Sequence, residues 1–118
     1  MLSDKELAEF KRGPLQMLAL LLLKEADMYG YQLNQELKQR SGGKFVVAGS
    51  VLYIVLYRLE EKGYISKRKE EGVKKAHVFY HLEPPGEAFL SDLLEAYAAM
   101  TSGVRAVIEK TGKGEKSS

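Results

Sequence analysis

The spacing of apolar and polar residues is most informative between Gly49 and Gly63, where it predicts an amphipathic helix. Ser50 is a candidate N-cap for this helix, and Gly63 is a typical terminating residue. One face is aliphatic and consists of Leu52, Val55, Leu56 and Leu59. The opposite face consists of Ser50, Tyr53, Ile54 and Tyr57. Because a helix face in water usually carries Lys, Glu or Gln, this second face is typical of a surface that meets a partner.

The N-terminal part of the chain predicts two helical segments. Ser3 and Glu6 have the spacing of a capping box, so a short helix should run from there to about Arg12. Gly13-Pro14 should interrupt or kink this helix, because proline has no amide hydrogen to donate. The almost continuously apolar stretch at 14–25 then predicts a helix that is buried on most sides, within the chain or partly against a second subunit.

Another helix should follow a turn at 26–28. It is predicted to open at residue 29 or 30 and to end near Arg40, with Tyr31, Leu33 and Leu37 facing inward. Together with the helix described first, it forms a candidate helix-turn-helix pair. The connection between the two is longer than the tight turn of the simplest examples.

Two strands with alternating residues are predicted after this helix pair, at 64–67 and 77–82, with a loop at 70–75 between them. In the second strand His77 and His81 share one face. Such a pair can bind a metal in principle, but no cysteine or carboxylate stands at usable spacing nearby, so a metal site is not predicted. Polar strand residues close to phosphate are the preferred interpretation.

A break at 83–86 precedes a helix predicted from Pro85 to about Lys110. Its apolar residues recur every three or four positions, at Phe89, Leu93, Tyr97, Met100, Val104 and Val107. Such a helix would be about 40 Å long, whereas a domain made of the preceding residues should be roughly 25–30 Å across. The helix therefore overhangs its own domain, and a homodimer is the simplest partner for its apolar stripe.

Composition excludes several classes of protein. The 118 residues suffice for one domain, and the chain has no cysteine, so disulfides and thiol nucleophiles are excluded. The longest apolar run, 17–23, is shorter than the roughly 20 residues that span a bilayer, and no signal-peptide pattern is present. We therefore expect a cytoplasmic protein with no membrane partner. No glycine-rich phosphate loop or nucleophile motif is recognisable, so we expect neither an enzyme nor a cofactor.

Positive charge is concentrated near the predicted hairpin. The formal net charge is only +2, but residues 62–77 contain six lysines and arginines and only two glutamates. A local basic patch is typical of phosphate binding, and a solvated, charged hairpin tip has the same composition. Charge alone leaves both interpretations open.

Taken in order, these segments resemble the PadR family of transcriptional regulators, in particular its small subfamily with a single C-terminal helix. The matching stretches are Met28-Tyr29-Gly30-Tyr31, Ser50-Val51-Leu52-Tyr53, Arg58-Leu59-Glu60-Glu61-Lys62-Gly63, Phe79-Tyr80-His81-Leu82 and Gly86. The resemblance covers residues 13–108 and implies a winged helix-turn-helix domain that binds DNA. It also implies a dimer built mainly from the last and first helices, and repression relieved by a ligand. Some members of the family hold planar apolar compounds between the two subunits.

The chain departs from the family pattern at three places. Ile54 stands where the family often has proline, so the start of the third helix is expected to differ. Lys74, Lys75 and His77 occupy the region of the usual wing arginines. Glu83 replaces the usual threonine cap of the last helix, so the two prolines that follow it must set the helix entry.

We therefore predict a mainly α fold with a small β-hairpin. A winged helix-turn-helix domain should occupy 1–83, a dimerisation helix 84–110, and a disordered tail 111–118. The predicted function is that of a homodimeric repressor that binds a double-stranded DNA operator. A winged-helix module that binds only protein is the alternative.

Predicted DNA contacts lie on the third helix and on the wing. They are Ser50, Val51, Tyr53, Ile54, Tyr57, Lys67, Arg68, Lys74, Lys75 and His77. The cationic side chains should mainly contact phosphates, while the helix residues should reach base edges. For Tyr53, packing inside the domain is the alternative.

A second predicted site joins the dimer interface to a ligand pocket. It consists of Leu15, Phe89, Leu93, Ala96, Tyr97, Met100 and Val104. A phenol at position 97, small residues beside it and a flexible methionine nearby suit a small planar aromatic ligand between two subunits. The alternative is that Tyr97 and Met100 simply fill the dimer core.

Overall fold

The structure, a computed structural model, describes residues 1–69 and 78–111. The described chain is mainly helical with a small antiparallel sheet, in agreement with the predicted fold class. In chain order the elements are α1 (Asp4–Glu25), β1 (Met28–Tyr29), α2 (Gly30–Arg40), α3 (Gly49–Glu61), β2 (Ile65–Lys69), β3 (Val78–Leu82) and α4 (Pro84–Thr111). The loop predicted at 70–75 and the tail from residue 112 onward lie outside the described residues.

Helix α1 is one continuous helix, and the interruption predicted at Gly13-Pro14 is wrong. Its capping box is present: the Ser3 hydroxyl accepts from the Glu6 amide at 3.1 Å, and the Glu6 carboxylate accepts from the Ser3 amide at 2.8 Å. A proline inside a helix costs about 3 kcal/mol. Burial of the apolar residues that follow Pro14 offsets this cost, since each fully buried leucine contributes about 1.5–3 kcal/mol.

The sheet has three strands in the described chain, not the two of the predicted hairpin. The turn predicted at 26–28 ends in strand β1, whose Met28 and Tyr29 pair antiparallel with Tyr80 and Phe79 of β3. Strand β3 lies between β1 and β2. A strand of two residues is too short to show an alternating pattern, so only its pairing with a distant segment defines it.

The core lies where α1, α2 and α3 meet the sheet and the start of α4. Its fully buried side chains are Leu15, Leu20, Leu33, Leu52, Leu56, Ile65 and Leu90. The inward position predicted for Tyr31 is wrong, because its side chain is 61% exposed. Leu33 and Leu37 fill the inner face of α2, and the Tyr31 ring stacks on Tyr29 at 5.7 Å instead.

The start of α3 differs from the prediction in its cap. Ala48 is the N-cap and provides no side-chain hydrogen bond, while Ser50 is the second residue of the helix. The predicted termination is in place, because Gly63 follows the helix with a φ of +77°, a conformation that favours glycine. Ser50 is therefore released from capping and lies exposed on the outer surface.

Helix α4 is fixed to the sheet by the loop between α3 and β2. The Glu83 amide donates to the Tyr64 carbonyl at 3.0 Å, and the Tyr64 ring stacks on Phe89 at 4.4 Å. A Cβ at Gly86 would collide with the same Tyr64 carbonyl, so the helix start needs a residue without a side chain. No helix of the described residues is long and apolar enough to cross a membrane.

Candidate nucleic-acid interface

The outer face of α3 is an exposed surface of mixed hydroxyl, phenol and aliphatic groups. Tyr53, Ile54 and Tyr57 are 50%, 54% and 59% exposed, and Ser50 is also exposed. Val51 is half-buried and packs against the core. The opposite aliphatic face is buried, and this burial fixes the rotation of the helix. The four exposed side chains predicted for DNA contact are therefore available to a partner.

Tyr53 lies between the two positions that the sequence left open. Half of its side chain is exposed, but its ring lies against Gly30, the first residue of α2. The ring is therefore neither buried in the core nor free in solvent. It is an exposed aromatic group supported from behind by the neighbouring helix.

Tyr57 carries a phenol that stays protonated. The Glu61 carboxylate accepts a hydrogen bond from its hydroxyl, and this bond raises the pKa of Tyr57 above its ordinary value. The negative charges of Glu61 and Glu60 add to the effect. The side chain therefore presents a neutral aromatic surface at physiological pH.

The described part of the wing carries cations that already have carboxylate neighbours. The Lys67 Nζ atom lies 3.5 Å from a Glu60 carboxylate oxygen, and an Arg68 guanidinium nitrogen lies 3.6 Å from a Glu83 oxygen. Both cationic side chains are half exposed. Surface ion pairs of this kind contribute about 0–1 kcal/mol, so a phosphate can replace the carboxylate at little cost. The predicted contacts Lys74, Lys75 and His77 lie outside the described residues.

Glu83 is the best-connected acidic residue near the wing. The Ser66 hydroxyl donates to its carboxylate at 2.5 Å, and this bond is the main reason why the pKa of Glu83 is below its ordinary value. His81 and Arg68 lower the pKa further through their charge, while partial burial opposes the shift. Glu83 is therefore ionised at neutral pH and links β2 to the start of α4.

Aromatic side chains that are not among the predicted DNA contacts extend this surface beyond α3. Tyr29 and Tyr31 stack with an interplanar angle of 6°, and Tyr29 meets Phe79 of β3 edge-on at 5.9 Å. These contacts join the start of α2 to the central strand of the sheet. The signal in the sequence was the Tyr-Gly-Tyr triplet at the helix start, whose central residue Gly30 admits the Tyr53 ring.

His81 has a carboxylate neighbour that sequence spacing did not reveal. Its Nδ1 atom lies 2.7 Å from an Asp27 oxygen, across 54 positions of the chain. Within the described ranges, no group of three or more histidine and acidic side chains has the geometry of a metal site. The partner histidine of the predicted pair, His77, lies outside those ranges.

The stripe on α4 remains partly uncovered within one chain. Its exposed large side chains are Leu94, Tyr97, Met100, Val104, Val107 and Ile108. Ala96 is exposed as well. Three residues predicted for the same interface lie elsewhere: Leu15 is fully buried in the core, Phe89 stacks on Tyr64, and Leu93 packs partly against the core. The first two are engaged within the chain and offer little to a partner.

An apolar cavity of about 260 Å³ opens between α1, α2 and the loop after α2. It is lined by Leu18, Leu21, Leu22, Glu25, Glu36, Leu37, Arg40, Ser41 and Phe45. At its rim Arg40 bonds both Glu25 oxygens, at 2.8 and 2.9 Å, and Glu36 at 2.8 Å. These bonds raise the pKa of Arg40. Arg40, Glu25 and Glu36 therefore form a network of ion pairs at the rim.

The chain is similar to known proteins in both sequence and fold. The model of the transcriptional regulator PadR-like family matches residues 18–92. An uncharacterized protein X of Lysinibacillus sphaericus is 34% identical over 91 residues, which cover 74% of this chain and 81% of that protein. A transcriptional regulator from Clostridium thermocellum is similar in structure, with a TM-score of 0.77, 28% identity, and coverage of 89% of this chain and 99% of that chain.

A DNA-bound structure is among the similar ones. Bacillus subtilis PadR in complex with operator DNA matches with a TM-score of 0.61 and 28% identity. The match covers 68% of this chain and 46% of that chain. The shared part is therefore less than half of that regulator.

Proposed function

Since the chain belongs to the PadR-like family of transcriptional regulators, we propose that it is a homodimeric repressor that binds duplex operator DNA and is released from it by a small apolar or planar ligand. The family membership and the mainly helical winged fold expected from the sequence are both confirmed. Proteins of this family regulate transcription and are not enzymes. Repression, dimerisation and ligand release are the parts that we propose.

The observation that carries the proposal is the two-sided character of α3. Its aliphatic face is buried, while Ser50, Tyr53, Ile54 and Tyr57 cover the exposed face. A helix of this kind fits the major groove, whose base pairs present hydrogen-bonding groups and thymine methyls. We assign hydrogen bonds with phosphates or bases to Ser50 and Tyr53, and contact with a thymine methyl to Ile54.

The wing supplies affinity in this proposal. Lys67 and Arg68 exchange their glutamate neighbours for phosphates. Lys74, Lys75 and His77, which lie outside the described residues, are further phosphate contacts that we propose from the sequence. Phosphate contacts position a protein on DNA without reading its sequence. Sequence preference therefore comes from α3.

A second copy of the chain is the proposed partner of the α4 stripe. Tyr97, Met100 and Val104 lie at helical spacing and are exposed in the single chain. Phe10 of α1 is 76% exposed, so one chain leaves this apolar side chain uncovered as well. A two-fold dimer through these helices presents two copies of α3, and two copies read the two halves of a palindromic site.

The ligand proposal centres on Tyr97, where two α4 helices would meet. Ligand binding releases DNA only if it favours one spacing of the two α3 helices over another, because a ligand shifts an equilibrium by its differential affinity. The cavity between α1 and α2 is the second candidate, since it is apolar and lies within one chain. Replacing Phe45, which lines that cavity, separates the two locations.

The deciding experiment is selection of duplex DNA from a random pool with the purified protein, followed by affinity measurement on the selected sites. The proposal expects an enriched, palindromic sequence that is bound at least about a thousandfold more tightly than unrelated duplex. A module that binds only protein would enrich no sequence and would bind all duplexes weakly. That result would refute the proposed function.

A further inference from the structure

The backbone conformation at Gly30 does not require a glycine. Gly30 is the first residue of α2 and is buried. Among the described residues the glycines with positive φ are Gly42, Gly43 and Gly63, so Gly30 has a conformation open to any amino acid. Glycine is also less favourable in a helix than alanine. Another physical reason must therefore account for glycine at this position.

The reason is the space that the Tyr53 ring occupies. A Cβ at position 30 would lie 2.6 Å from Cζ and 2.8 Å from Cε1 of Tyr53, and closer still to the hydroxyl oxygen. Carbon atoms in contact are normally about 3.5–4.0 Å apart. The Tyr53 ring therefore lies directly over the α carbon of Gly30, and a side chain of any size at position 30 would displace it.

The backbone around Gly30 is held in place on both sides. On one side, Tyr29 belongs to strand β1 and pairs with Phe79 of the central strand. Its amide also donates to the side-chain oxygen of Gln32 at 2.8 Å, which fixes the first turn of α2. On the other side, Tyr31 stacks on Tyr29. Gly30 thus lies between residues that are paired, hydrogen-bonded and stacked, and its contact limits the orientations of Tyr53.

We propose that Gly30 is a positioning residue of the DNA interface: the missing Cβ lets Tyr53 lie against α2, and this contact fixes where the Tyr53 hydroxyl meets the operator. The inference rests on the proposed function. A held side chain binds more tightly than a mobile one, because less rotamer freedom is lost on binding. With alanine at position 30 the ring must shift away from α2, and its hydroxyl moves away from its contact.

The test is a double-mutant cycle of operator affinity with wild type, Gly30→Ala, Tyr53→Ala and the double variant. Gly30→Ala should weaken operator binding about five- to tenfold, the scale of one lost hydrogen bond and its ordering. Affinity for unrelated duplex and the salt dependence should stay unchanged, because no cation is lost. In the Tyr53→Ala background, the substitution at position 30 should have no effect. Equal effects in both backgrounds, or an unchanged single variant, would overturn the inference.

Stability measurements keep the test decisive if Gly30→Ala folds poorly. The matched control is Gly49→Ala, which changes the first residue of α3, where a Cβ meets nothing within 4 Å. This control should not lower the unfolding midpoint. If Gly30→Ala is unfolded, recovery of the fold in the Tyr53→Ala background supports the contact, and continued unfolding overturns it.

The same series separates the two proposals. A wild-type protein without sequence preference refutes the proposed function and the inference with it. A wild-type protein that binds its operator specifically, beside an equally active Gly30→Ala, refutes the inference alone.

Discussion

At the scale of single residues, the proposed interface combines exposed phenols with cations that already have carboxylate neighbours. Tyr57 keeps its proton because its bond to Glu61 raises its pKa. Lys67 and Arg68 each lie near a glutamate, at 3.5 and 3.6 Å. In the proposed complex, these weak surface ion pairs would be exchanged for phosphate contacts. Tyr57 keeps the same charge over the physiological pH range, so its contribution should not depend on pH there.

The Tyr53 hydroxyl should contribute one hydrogen bond to operator binding. Tyr53→Phe removes that bond and leaves the ring on Gly30, so we expect a loss of about 1 kcal/mol, or roughly fivefold in affinity. Titration of labelled operator measures it. Tyr64→Phe is the control, because it removes a hydroxyl outside α3 and keeps the ring that stacks on Phe89. Operator affinity equal to wild type in Tyr53→Phe would mean that the hydroxyl makes no DNA contact.

Lys67 and Arg68 should contribute to affinity without contributing to sequence preference. Replacing either with alanine should reduce the slope of log affinity against log salt by about 0.9, the value for one phosphate contact. The loss should be the same for operator and for unrelated duplex. Lys110→Ala, near the end of α4, removes the same charge and should leave the slope unchanged. An unaltered slope in the Lys67→Ala/Arg68→Ala double variant would remove the described wing strand from the interface.

At the scale of elements, several contacts join the wing to α4. The Tyr64 carbonyl accepts a hydrogen bond from the Glu83 amide and lies against Gly86, and the Tyr64 ring stacks on Phe89. The Glu83 carboxylate bonds Ser66 of β2. The start of the proposed dimerisation helix is therefore tied to the strand that carries the wing cations. A change in how two α4 helices meet should move the wing with them.

Ionised Glu83 should stabilise this joint in a pH-dependent way. Its pKa is lowered in the folded chain, chiefly by the Ser66 hydroxyl, so the unfolded chain takes up this proton first as pH falls. The contribution is fully present above the ordinary carboxyl pKa of about 4.5 and is lost as pH falls through the lower folded value. Glu83→Gln should therefore flatten the acid side of the stability curve, measured by thermal unfolding between pH 3 and about pH 6.

Glu87→Gln is the control for this measurement. It removes a carboxylate from the first turn of α4, where no link to β2 exists among the described contacts. Its acid limb should match that of wild type. If Glu83→Gln also matches wild type, the Ser66 bond does not contribute to stability.

At the scale of the whole molecule, one chain buries a complete core and leaves one long surface uncovered. The core is closed by Leu90 near the start of α4, and the exposed stripe begins at Leu94. The first part of α4 thus belongs to the domain, and the remainder is available for assembly. This division explains why Phe89 and Leu93 pack inward although they continue the same helical pattern.

Assembly should depend on the exposed part of the stripe. Met100→Asp would bury a charge without a partner in the dimer, so the chain should sediment as a monomer. Operator affinity should fall with it, because two copies of α3 are needed to read two half-sites. Ser102→Asp is the control, since it places the same charge on the opposite side of α4. A monomeric Met100→Asp with unchanged operator affinity would contradict a dimeric functional unit.

Ligand release should depend on Tyr97. We expect planar aromatic compounds to stack on this phenol between two subunits and to lower operator affinity. A panel of such compounds, titrated against wild type, Tyr97→Ala and Phe45→Ala, measures both binding and release. Loss of response in Tyr97→Ala alone supports the interface site. Loss in Phe45→Ala alone moves the site to the cavity between α1 and α2.

Local periodicity was sufficient to predict α3 with its two faces and the extent of α4. The buried Leu52 side and the exposed Tyr53 side of α3 follow from spacing alone, because the helix repeat places residues three and four apart on one face. The strand pair was predicted within a few residues from the alternation of its side chains. The bounds of α4 were predicted equally well from its helical spacing and the break before it. Family membership followed from the order of short motifs, and the comparisons confirm it.

Contacts between distant parts of the chain were decided only by the tertiary structure. Strand β1 exists because Tyr29 pairs with Phe79, and His81 contacts Asp27 across 54 positions of the chain. The continuity of α1 through Pro14 depends on the burial that follows it, which outweighs a local preference. Gly30 is the clearest example, because the need for glycine at this position comes from the Tyr53 ring, which belongs to another helix. Spacing along a sequence carries the helix repeat, whereas the packing of one element on another depends on three-dimensional shape.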